Sequence, residues 1–102
     1  MMHNKELIRE LIKTKICGFE IEISVPTYQN KNRVLRHFIS HCKAIHSDKY
    51  GAQTRGKEAV KTAVELYGNS FDSFYMLPFD FFIFYPAGKE ARENFIFKQN
   101  KQ

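Results

Sequence analysis

The spacing of apolar and polar residues changes several times along the chain, and each change predicts an element. Leu7, Ile8, Leu11 and Ile12 fall at i, i+1, i+4 and i+5 behind Asn4, a residue suited to capping, so a helix is predicted over about 4–14. From Gly18 the period drops to two: Phe19, Ile21, Ile23 and Val25 alternate with Glu20, Glu22 and Ser24, a strand over about 18–25 buried on one face. Pro26 cannot donate to a ladder and is expected to end it. Behind Asn30, the positions Val34, Leu35, Phe38, Ile39, Cys42 and Ile45 form a helical stripe, predicting a helix over about 30–46. Its solvent side then carries Arg33, Arg36, His37, Ser40, His41 and Lys43.

A further helix is predicted over about 55–67, with Thr54 as cap, Ala59, Val60, Ala63, Val64 and Tyr67 inward, and Gly68 as the glycine that ends it. Phe79 to Tyr85, set between Pro78 and Pro86, is apolar at both parities, as in a strand covered on both sides. Residues 87–95 have helix-forming composition, and 94–98 could instead form a last strand. The expected fold is α+β: a small single domain spanning 1–102, with a two- or three-stranded sheet (about 18–25, 79–85 and 94–98) packed with three or four helices.

Composition narrows the class. The chain has 102 residues, 43% hydrophobic and 26% charged, too apolar for disorder, and its longest apolar run, Phe81–Tyr85, is far short of a membrane span. Glu6, Arg9 and Glu10 interrupt the apolar pairs near the start, so no signal-peptide core is present and a cytoplasmic location is expected. Two cysteines, Cys17 and Cys42, are expected as free thiols, both buried. Ten of the fifteen aromatic residues lie between Phe71 and Phe97, which weights the core to the C-terminal third. The richness in Lys, Asn, Ile and Phe would also suit an AT-rich genome or mobile element.

Charge changes the picture most. The net charge is +5, and residues 31–61 hold eight Lys and Arg against Asp48 and Glu58 alone, while the flanking thirds are close to neutral. No acid occurs between Glu22 and Asp48. Such asymmetry bears on partners rather than on fold.

The chemical motifs are incomplete. Gly51-Ala-Gln-Thr-Arg-Gly-Lys57 matches seven positions of a phosphate loop, but Glu58 replaces the Ser or Thr that would bind magnesium, and no strand precedes it. His37 with His41, and Cys42 with His46, have the i, i+4 spacing of zinc pairs, but the pairs point in different directions and no third ligand is supplied. A Cys–His nucleophilic pair would need an exposed, activated thiol. Glu20 and Glu22 are strand neighbours without a third catalytic group. The aromatic stretch lacks the basic, glycine and aromatic consensus of a base-stacking sheet, the nearest text being Lys15–Phe19 with the wrong spacing, so core packing is its first role.

No enzyme, metal or cofactor is therefore expected. The expected function is a non-enzymatic binding module that meets a polyanion, either nucleic-acid backbone or an acidic protein surface, through Lys31, Arg33, Arg36, His37, Lys43, Arg55, Lys57 and Lys61. The alternative is a protein inhibitor or adaptor that uses the aromatic C-terminal third, with a homodimer left open and no membrane partner.

Overall fold

The computed structural model describes residues 9–27, 29–68, 71–77 and 79–86. Within them the order is β1 (Arg9–Ile16), β2 (Phe19–Pro26), α1 (Lys31–Tyr50), α2 (Gly56–Tyr67), β3 (Phe71–Met76) and β4 (Phe79–Phe84). The four strands form one antiparallel sheet in the order β1-β2-β4-β3, so two hairpins meet along the β2–β4 seam. The architecture is α+β, with four strands and two helices among the described residues where two or three strands and three or four helices were expected.

The first predicted helix is overturned. Its residues 9–14 are strand, paired residue for residue with β2 from Arg9↔Pro26 to Ile16↔Phe19; the remainder, 4–8, lies outside the described residues. Ile12, Thr14 and Ile16 also alternate, and eight cross-strand pairs outweigh a weak local helical spacing. The hairpin closes through Cys17 and Gly18, both at positive φ (53° and 90°), as a two-residue turn twisted with its strands requires. Cys17 is thereby exposed, against the expectation of burial.

β2 has the expected length but ends one residue later than expected, at Pro26, which needs no N–H at the strand's last position. β3 had no counterpart in the sequence pattern. The expected elements at 87–95 and 94–98 lie outside the described residues.

The sheet register sorts side chains onto two faces. Ile12, Ile21, Ile23, Val25, Phe74, Phe81 and Ile83, with Tyr85 just beyond β4, meet the helices; they pack with Val34, Phe38 and Cys42 of α1 and Ala59, Val60 and Ala63 of α2. Phe38 of α1 packs against Tyr85, ring centroids 6.4 Å apart. The opposite face carries Phe71, Phe82 and Phe84, with Phe82 and Phe84 6.0 Å from Phe71. Phe84 is only 2% exposed, so β4 is covered on both sides, as its sequence predicted.

Helix ends explain the observed lengths. Asn30 caps α1, its Oδ1 accepting from the Arg33 amide at 3.0 Å. The helix continues to Tyr50 and stops at Gly51, which takes the left-handed conformation (φ 70°) and donates to the Ser47 carbonyl at 2.7 Å. At α2 the expectations for caps fail: Arg55, not Thr54, is the N-cap, with no side-chain cap bond, and Gly68 stays right-handed.

Candidate functional site

Because α1 lies on the sheet along its apolar stripe, the reverse side of about 30 Å of helix faces solvent. Arg33, Arg36, His37 and Lys43 are all exposed there, with exposed Ser40 between them and Ala44 just after Lys43. The first acid on the helix is Asp48, in its last turn. This is the part of the expected set that the structure brings together on one surface.

The other expected residues divide. Lys31 is exposed but sits at the foot of α1 with its Nζ 4.0 Å from Glu10 Oε2, turned to β1 rather than along the outward ridge. Arg55 is exposed at the start of α2. Lys57 and Lys61 are exposed on α2 beside acids: Glu58 is in the first turn, and Lys61 shares a cleft with Glu58 and Glu65. Like spacing on one helix lets Glu58 and Glu65 neutralise Lys61 at i−3 and i+4. The positive field thus belongs to α1 and the corner into α2, and fades along α2.

His41 departs from its expected place on the solvent side. It is turned onto the sheet edge, its Nε2 2.8 Å from Asp72 Oδ2 on β3. A carboxylate accepts only, so this nitrogen donates. Asp72 Oδ2 also accepts from the Tyr85 hydroxyl at 3.4 Å, and its Oδ1 accepts from the Ser73 amide at 2.7 Å. His41 packs 5.5 Å from the Phe74 ring. A polar knot therefore ties α1 to β3 inside an otherwise apolar layer.

Next to that knot lies Cys42, fully buried; burial first, then the negative charge of Asp72, pushes its thiol up to about 12. Burial likewise raises the Tyr85 hydroxyl far above its ordinary value, with Cys42 and Asp72 adding to it. A thiol held protonated and out of reach is no nucleophile. Two neighbours of Asp72 were visible as residue types in the sequence, but nothing in it joined residue 41 to residue 72.

On the other sheet face Arg9 is a structural staple. Its guanidinium donates to Ser24 Oγ at 2.8 Å, to the Ser24 carbonyl at 2.9 Å and to the Asp80 carbonyl, and lies 5.0 Å over the Phe82 ring. Burial lowers its pKa while the Asp80 carboxylate acts against that. It joins β1, β2 and β4 on that face.

Among the described residues no group of three His, Cys, Asp or Glu side chains could hold a metal ion, and no helix is long and apolar enough to cross a membrane. Comparison with family models, curated proteins and solved structures finds no match for this chain.

Proposed function

We propose that this protein is a non-enzymatic polyanion-binding module whose outward α1 ridge contacts nucleic-acid backbone. One observation carries this: Arg33, Arg36 and Lys43 stand exposed on one side of a helix that has no acid before Asp48. A cationic ridge attracts phosphates by charge alone, so the contacts position the partner and carry no base information. A row of cations along one side of a twenty-residue helix suits the regular charge of a duplex better than the scattered acids of a protein surface.

The test is titration of labelled duplexes of unrelated sequence with micromolar protein at about 50 mM salt, where non-specific phosphate binding is strong. Similar affinities for all duplexes support the proposal. No binding removes nucleic acid and leaves an acidic protein surface as the polyanion.

A second reading, a protein adaptor, draws on Tyr75 and Leu77, 61% and 77% exposed at β3 and the turn after it. An adaptor of that kind would lose its partner on Tyr75→Ala and respond weakly to salt.

A further inference from the structure

We infer that the cleft at the corner between α1 and α2 seats one phosphate group, supplied by the nucleic-acid backbone that the α1 ridge holds; this rests on the polyanion-binding proposal above. The cleft has a volume of about 380 Å³ and is lined, among the described residues, by Lys43, Ala44, Ser47, Gln53 and Thr54. Its lining offers one cation, two hydroxyls and a carboxamide, all of them able to donate. Among the described residues, none of Ser47, Gln53 and Thr54 spends its side chain on a hydrogen bond.

A phosphate diester presents oxygens that only accept, and it carries negative charge. It is best met by converging donors with one cation and no carboxylate. The neighbouring clefts differ in that respect: one includes Glu58 and Glu65, the other Asp48.

The corner is pre-set rather than loose. Gly51 donates to the Ser47 carbonyl at 2.7 Å, and His46 Nδ1 donates to the Ala52 carbonyl at 3.1 Å, so the chain is folded back onto the end of α1 before Gln53 and Thr54. A backbone held in place lowers the ordering cost of binding to that of the side-chain rotamers alone. Placement also links the cleft to the ridge. Arg36, Ser40, Lys43 and Ser47 fall at i, i+4, i+7 and i+11 on α1, and Arg36 and Lys43 are about 10 Å apart along the axis. A backbone lying along the ridge therefore reaches the cleft without bending away.

The experiment uses the full chain and three variants, Ser47→Ala with Thr54→Val as a pair, Lys43→Ala, and Arg33→Ala as a ridge control, each confirmed as folded by its far-ultraviolet spectrum. The paired variant removes donors but no charge. It is expected to weaken binding of a labelled duplex about ten-fold without changing the salt slope, since hydroxyls release no counterions. Lys43→Ala is expected to weaken binding and flatten the slope by about 0.9. Wild-type affinity in the paired variant, with Arg33→Ala still weakened, overturns the cleft and leaves the ridge standing.

A second arm titrates inorganic phosphate against the amide resonances of the same proteins. Shifts confined to residues 43–54 and lost in the paired variant support the seat; no shifts there, in a chain that also fails to bind duplex, overturn both inferences. Shifts without duplex binding identify free phosphate as the source and overturn the nucleic-acid proposal alone.

Discussion

Replacing Arg36 with alanine removes one exposed cation from the middle of the α1 ridge and buries or uncovers nothing in the core, because Arg36 points away from the sheet. Four cations lie on the ridge and its corner, Arg33, Arg36, Lys43 and Arg55. If each neutralises one phosphate, log K falls against log salt with a slope of about −3.6, at ~0.9 per contact. A fourfold rise, from about 50 to about 200 mM, then weakens binding roughly 150-fold. With Arg36→Ala the slope becomes about −2.7 and the same rise costs roughly 40-fold. The assay is fluorescence anisotropy of labelled duplexes at several salt concentrations, with two unrelated sequences. The structure adds a contrast that charge counting cannot make: Lys31 is engaged with Glu10, and Lys61 is flanked by Glu58 and Glu65, so Lys31→Ala and Lys61→Ala are expected to leave the slope near its original value. If either of them flattens the slope as much as Arg36→Ala does, or if Arg36→Ala discriminates between the sequences, the ridge is not the contacting surface.

Phe38→Ala is expected to cost about 3–5 kcal/mol, the range for deleting a buried ring, because Phe38 is fully enclosed between the sheet and Tyr85; urea unfolding measures it, and a loss under about 1 kcal/mol would place the side chain elsewhere. Asp72→Ala leaves His41 and the Tyr85 hydroxyl without their acceptor and is expected to destabilise by roughly 1–3 kcal/mol in the same assay, while an unchanged midpoint would mean that the polar knot contributes nothing. Thiol labelling of the native protein should modify exposed Cys17 quickly and buried Cys42 only on unfolding; two equally fast thiols would contradict the packing of α1. Cys42 has a folded pKa raised from 9.0 to about 12, so its contribution is complete below pH 9 and is lost as pH rises from there towards 12. Unfolding free energy should therefore decline across that window, less steeply in Cys42→Ala, with the similarly raised Tyr85 supplying the remaining slope.

Strong local patterns determined several parts of this protein. The stripe from Val34 to Ile45 and the cap at Asn30 specify α1, since a helix needs only one apolar face and a satisfied first turn. The doubly apolar run at Phe79–Phe84 likewise specifies a strand between two layers. Four basic residues of the candidate ridge could be placed on the solvent side before any contact was known, because amphipathic spacing orients them relative to the core. Tertiary structure decided the rest. β1 is a strand because β2 offers it eight partners, a term that no local window contains, and the Cys17–Gly18 turn lacks the Asn–Gly or Asp–Gly signature of a tight hairpin. β3 escaped notice because Asp72 and Ser73 break its apolar run; Asp72 is tolerated inside only because His41 and Tyr85 converge on it from other elements. The same non-local packing separates equal-looking cations, leaving Arg36 exposed on the ridge and Lys31 against Glu10, and folds Gln53 and Thr54 back beside Lys43. Charge along a chain is additive and legible in order, whereas the field at a surface depends on which distant acids and donors folding brings within a few ångströms.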